Sequence, residues 1–169
     1  MSGRRRCRGA GGLAERAAVH RLARRLAQKI LERYAHNPAV IAVGYDNEIG
    51  NGHMSYSAAD RDRFVAWLKR RYGSIEALNK AWATQRWSRR INSWDQVDLP
   101  YERGPGPNER YLDLRRYWSD DAIGALEELE AVRKQYAPNL PVASNFWPTA
   151  GTKGFDYLRS WEKISTYGA

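Results

Sequence analysis

The sequence predicts an α/β chain that forms the middle of a parallel β/α barrel. Three observations predict it. Apolar, β-rich runs at Val40–Tyr45 and Val142–Phe146 stop on or beside polar residues, as strands do when both faces of a parallel sheet are covered. Long helical patterns separate those runs, which implies parallel pairing through right-handed crossovers. Only two complete strands and the start of a third are present in 169 residues, whereas a full eight-stranded barrel takes about 250.

The elements follow in order. Val19, Leu22, Ala23, Leu26, Ala27, Ile30, Leu31 and Tyr34 recur at helical spacing with arginines opposite, and this amphipathic helix ends before Asn37-Pro38. The strand Val40–Tyr45 comes next. Ser57-Ala58-Ala59-Asp60 resembles a capping box with Asp in place of Glu, and the helix behind it carries Phe64, Trp67, Leu68 and Tyr72 before stopping at Gly73. Ser74 caps a short helix through Ile75, Leu78 and Trp82. From Ala83 to Asn108 the chain makes a long excursion containing Trp87, Trp94 and Pro100, and loops of this length in compact domains are mostly functional. A second long helix runs from about Arg110 to Tyr136 and is ended by Pro138 and Pro141. After Val142–Phe146, helical residues Tyr157–Trp161 precede the expected start of a third strand at Ile164–Tyr167.

Charge is unevenly placed. The net charge is +9, but residues 1–35 hold ten of the 28 basic residues and two of the 19 acidic ones, leaving 18 basic against 17 acidic in the remainder. The body is nearly neutral. The block Arg4-Arg5-Arg6-Cys7-Arg8 reads either as a nucleic-acid or targeting tail or as a non-native leader joined through a structureless Gly9–Gly12 junction. A nucleic-acid-binding module would have little besides that tail. One cysteine excludes an internal disulfide framework and a cysteine zinc site. No apolar stretch approaches the roughly 20 residues that span a bilayer, and no apolar run of the secretory type follows the N-terminal arginines.

The sharpest local feature is Val40-Ile-Ala-Val-Gly-Tyr-Asp-Asn-Glu-Ile-Gly50. It sets an amide, Asn47, beside a carboxylate, Glu48, at the C-terminal end of a buried strand, where β/α barrels do their chemistry. The plainer reading is a capped strand end before a glycine turn. Strand alternation sets Asp46 and Glu48 on one face and Asn47 on the other, unless a bulge or twist brings Asn47 round. The second strand also ends on a polar residue and an aromatic, Asn145-Phe146, followed by Trp147. His53 reads as a solvated loop histidine, and Trp67, Trp82, Trp118 and Trp161 as packing residues on helix faces.

The stretch Pro38–Gly50 resembles the fourth-strand motif of glycoside hydrolase family 42, the bacterial β-galactosidases. The likeness continues through Phe64–Trp82, Trp87, Trp94–Pro100, Asp113–Asp120 and Pro141–Phe146, covering about residues 16–167 in order. Residues 1–15 match nothing and are expected to be a disordered leader, with 16–169 a partial catalytic domain. The resemblance implies a partial (β/α)8 barrel, from about helix 3 to the start of strand 6. It also implies hydrolysis of terminal non-reducing β-D-galactose residues with retention, which needs two carboxyl groups about 5–5.5 Å apart. By the same resemblance Glu48 is the acid/base proton donor and Asn47 contacts the sugar 2-hydroxyl. As the second strand is then the barrel's fifth, Asn145 borders the sugar, and Trp147 at the strand's mouth either borders it too or packs as an aromatic under a loop. The nucleophile belongs at the end of strand seven and is expected to be missing here: none of Glu76, Glu102, Glu109, Glu127, Glu128, Glu130 or Glu162 stands at a strand end, and most lie on helix surfaces. The isolated chain is therefore expected to be inactive. The family's cysteine cluster with zinc spacing has no counterpart in Met54–Asp60, so no metal and no cofactor is expected. The implied partner is a β-galactoside substrate, with neither nucleic acid nor membrane. The parent enzyme is expected to be a homo-oligomer, commonly a trimer, in the bacterial cytoplasm. The alternatives are a non-catalytic carbohydrate-binding remnant and a nucleic-acid-binding module using the basic N-terminus.

Overall fold

The computed structural model describes residues 11–49, 56–100, 108–146 and 156–164. Its elements run α1 (Gly11–Tyr34), β1 (Val43–Ile49), α2 (Ala58–Tyr72), α3 (Ile75–Ala81), α4 (Asn108–Tyr136), β2 (Val142–Phe146) and α5 (Tyr157–Lys163), with 3₁₀ turns at Arg86–Ser88 and Trp94–Gln96. The strands pair in parallel, as a βαβ arrangement requires. The chain divides into two compact units: Met1–Glu15 with Met54–Tyr117, and Arg16–His53 with Trp118–Ala169.

Within the first of these, α2 starts as its sequence dictates. The Ser57 hydroxyl accepts from the Asp60 N–H at 3.2 Å and donates to the Asp60 carboxylate at 2.5 Å, which satisfies an orphan donor of the first turn. The helix stops at Gly73, whose φ of 74° is open to glycine at little cost and whose N–H closes on the Lys69 carbonyl at 2.9 Å. Ser74 then caps α3 by accepting from Ala77 N–H at 3.1 Å. Phe64, Leu68, Leu78, Trp82, Val97 and Leu114 are fully buried. Tyr117 lies 5.5 Å from Phe64, ring to ring, and edge-on to Trp67 at 6.3 Å. Among these apolar groups sits a fully buried carboxylate, Asp113. It accepts from Trp82 Nε1 at 2.8 Å, the Tyr72 hydroxyl at 2.6 Å and Arg116 Nη1 at 2.9 Å. Three donors offset the cost of burying the charge.

The long excursion, as far as residue 100, is ordered by side chains instead of ladders. Asn79 donates to the Ile91 carbonyl at 2.7 Å and accepts from the Ile91 N–H at 2.9 Å, while Arg61 donates to the carbonyls of Val97 at 2.8 Å and Asp95 at 2.7 Å. Backbone groups that no strand or helix satisfies are met this way. The bend needs left-handed backbone at Ala83, Trp87 and Ser88, with φ of 48°, 60° and 54°.

In the other unit, β1 and β2 pack through Val43, Tyr45 and Val142 against Leu126 and Leu129 of α4 and against Ile164. A neighbouring cluster joins Leu31 of α1 to Val132 and Ala137. His20 of α1 stands 3.2 Å from the Glu128 carboxylate. The outer stripe of α1 is not covered: Val19, Leu22 and Leu26 are each more than 60% exposed. An open hollow of about 310 Å³ lies between Ile30, Tyr34, Val40, Ala42, Val43 and Leu140. Among the described residues no helix is long and apolar enough to cross a membrane.

Several boundaries differ from expectation. Gly11 and Gly12, read as part of a junction, open α1, because helix propagation from Leu13-Ala14-Glu15 costs little once a long helix is nucleated. Strand β1 begins at Val43 and continues through Asn47 and Glu48 to Ile49. Val40 instead closes a turn onto the Asn37 carbonyl at 2.9 Å. Pairing to β2, not the end of the apolar run, sets the limits of this strand. Ile164 is extended and almost fully buried, while the rest of the third strand start, residues 165–167, lies outside the described residues.

Candidate active site

The parallel register decides which candidates meet. Val43 pairs with Val142, Gly44 with Ala143, Asn47 with Asn145, and Ile49 with Phe146. Asn47 and Asn145 are therefore backbone partners near the C-terminal end of the sheet, with Glu48 next along β1. The side chains of Asp46, Glu48 and Asn145 are outside the described residues, as are Trp147 and His53 altogether; Asn47 is exposed.

The register also slips. Between Gly44 and Asn47 the chain takes three steps in β1 against two in β2, and between Asn47 and Ile49 two against one. Each slip inserts an extra residue in β1. Such a bulge resets the alternation of the strand and re-aims the residues that follow it. This is the kind of irregularity that strict alternation would require before Asn47 could share a face with Glu48.

Beneath this end lies a buried polar network that sequence reading did not find. Tyr45, 4% exposed, donates its phenol to Glu130 Oε2 at 2.5 Å. Glu130 belongs to α4 and is 3% exposed, so it is not the surface carboxylate that its helical position suggested. Arg133, one turn on, grips Glu130 with Nε at 2.9 Å and Nη2 at 2.8 Å. Its Nη1 also donates to the carbonyls of Ala137, Pro138 and Leu140 at 3.1, 3.0 and 2.8 Å. Burial, and then the bond to Glu130, raises the Tyr45 pKa, so the phenol stays protonated. The bond to Glu130 outweighs burial at Arg133 and raises its pKa too. The available signal was the Glu-x-x-Arg spacing beside Leu126 and Val132, but surface ion pairs have the same spacing.

Glu130 is thus a structural ion-pair partner inside the fold, and Glu76, Glu109, Glu127, Glu128 and Glu162 lie in helices; Glu102 is outside the described residues. Among the described residues no group of three or more His, Cys, Asp and Glu is placed to hold a metal ion. Trp87, noted in the sequence within the long excursion and in the family likeness, is 83% exposed on its left-handed backbone.

The parallel β/α arrangement sets Asn47 and Glu48 near the C-terminal end of β1, the end at which β/α barrels carry their chemistry. The glycoside hydrolase family 42 profile, described as β-galactosidase, matches residues 13–167. The chain is 39% identical over 129 residues to β-galactosidase LacZ of Heyndrickxia coagulans, covering 74% of this chain and 19% of that protein. It is 35% identical over 152 residues to a β-galactosidase of Arthrobacter sp, covering 87% and 21%. Among solved structures, the β-galactosidases of Bacillus circulans sp. alkalophilus and Rahnella sp. R3 superpose on 89% of the chain with TM-scores of 0.79 and 0.81, each at 29% identity. The chain belongs to glycoside hydrolase family 42, and its fold is part of that family's barrel. It spans about one fifth of the length of these curated relatives.

Proposed function

We propose that this chain carries the acid/base half of a retaining β-galactosidase site. The observation that carries the reading is the register that aligns Asn47 with Asn145 at the C-terminal end of the parallel pair, with Glu48 adjoining. Glu48 protonates the glycosidic oxygen as the leaving group departs, then removes a proton from the water that releases the sugar. Asn47 holds the 2-hydroxyl, a contact that strengthens as the oxocarbenium-like transition state forms. Asn145 and Trp147 border the same sugar. The nucleophile is supplied by a carboxylate outside these 169 residues, so this chain by itself binds galactose-configured ligands without turning them over. Losing one member of a catalytic unit costs orders of magnitude in rate.

The test is calorimetric titration with galactose alongside an aryl β-galactoside hydrolysis assay. Weak binding, reduced by Asn47→Ala and Glu48→Ala, with no phenol release, is the expected result. Binding indifferent to both substitutions would overturn the site assignment. Steady hydrolysis abolished by Glu48→Ala would overturn the claim that the nucleophile lies elsewhere.

A further inference from the structure

We infer that Tyr45, Glu130 and Arg133 are positioning residues that hold the first register slip of β1 and so decide how Asn47 and Glu48 are presented. The inference rests on the galactosidase reading for its functional consequence, but not for its structural claim.

Between the paired residues Gly44 and Asn47 stand Tyr45 and Asp46, opposed in β2 by Ser144 alone. The extra residue of the slip is therefore stored at Tyr45-Asp46. A regular parallel ladder would take up that residue by sliding one position, and a one-residue slide turns every later side chain to the opposite face. Something must oppose the slide. The Tyr45 ring is packed in the cluster with Leu126, Val142 and Ile164, but packing alone tolerates some movement of a ring along its axis. The phenol oxygen is tied more tightly, because its 2.5 Å bond ends on a buried carboxylate. Glu130 is locked by both arms of Arg133. Arg133 is locked in turn by three carbonyls of the turn that leads into β2. One network thus refers the slipped residue of β1 to the same turn that starts its partner strand. Lys134, 3.5 Å from Glu130 on the exposed side, adds charge but is not enclosed.

The geometry separates Tyr45→Phe from Glu130→Gln. The first keeps the ring and removes the phenol; the second keeps an acceptor for the phenol. The readout is the NMR spectrum of isotopically labelled protein: cross-strand contacts between Asn47 and Asn145, and the Asn47 side-chain amide signal. Tyr45→Phe is expected to move the Asn47 signal and shift its cross-strand contacts by one residue, with Leu31 and Val132 methyl signals unmoved. Glu130→Gln, which keeps an oxygen for the phenol but sets its amide NH2 against Arg133 Nη2, is expected to shift those cross-strand contacts less than Tyr45→Phe. In the same samples, galactose affinity should fall on the order of tenfold in Tyr45→Phe, since displacement of about 1 Å is costly at a preorganised site. An unchanged Asn47 signal and register in Tyr45→Phe overturns the inference. Failure of the wild-type protein to bind galactose overturns only the galactosidase reading, because the register measurement is made without ligand. Should Glu130→Gln fail to fold, Tyr45→Phe decides alone.

Discussion

The two compact units bury their polar groups in comparable ways but finish their surfaces differently. Around Asp113, the unit containing Met54–Tyr117 gathers Trp82, Tyr72 and Arg116 inside a shell of fully buried side chains. Around Glu130, the unit containing β1 and β2 gathers Tyr45 and Arg133 in the same manner. The second unit, however, leaves Leu22 and Leu26 of α1 exposed at 64% and 63%, and Ile41 at 82%. Among the described residues its sheet has two strands, which take their support from α4 packed against them. The first unit exposes Trp87 on a loop, whereas the second exposes a stripe of large apolar side chains along α1.

Substitutions can break or sharpen this contrast. The largest effect is expected from Trp82→Ala, which empties a fully buried site and takes a donor from Asp113; a loss of about 3–5 kcal/mol is expected for removing a buried large aromatic, measured by urea unfolding. A loss below about 1 kcal/mol would show that this unit is not close-packed. Glu130→Ala should cost about 3 kcal/mol or more, because Arg133 is left buried without its carboxylate. Near-neutrality would mean that the three carbonyls satisfy Arg133 unaided.

Tyr45→Phe is milder, about 1 kcal/mol at neutral pH, in line with one hydrogen bond. It carries a pH signature as well. The folded-state pKa of Tyr45 is raised above its ordinary 10.0, so this stabilisation is complete below pH 10 and is lost as pH rises through the folded value, since the unfolded chain releases the proton first. Tyr72, raised by burial and by Asp113, behaves alike in the other unit. Stability measured between pH 9 and 11 should therefore decline less steeply in Tyr45→Phe than in the wild type, and a parallel decline would remove Tyr45 from the account. The smallest effect is expected for Leu26→Ser on the bare stripe of α1, within about 0.5 kcal/mol as for most surface sites. A loss well beyond that would show that something covers the stripe in solution.

Much of this was legible in local sequence. Ser57 with Asp60, Gly73 and Ser74 punctuate α2 and α3 as short-range hydrogen bonding and glycine's freedom at positive φ demand. The second strand and α4 were equally plain from their patterns. The Asn47–Glu48 pair was visible as residue types at a strand end, and family likeness gave each a role. Glu130 was misjudged because a carboxylate on a long helix is nearly always at the surface, and its burial depends on a tyrosine 85 positions away. The extension of β1 past Asp46 was missed because an apolar run ends where burial ends, whereas a strand ends where pairing ends.

The sequence by itself determined the order of helices and strands, their caps, the parallel connection and the family, since these arise from neighbours within a few residues or from motif identity. Only the tertiary structure decided the register of β1 on β2, its two slips and the Tyr45–Glu130–Arg133 network beneath them. Those depend on which distant backbone groups pair and which charges share one buried volume, and no local pattern of residues encodes that choice.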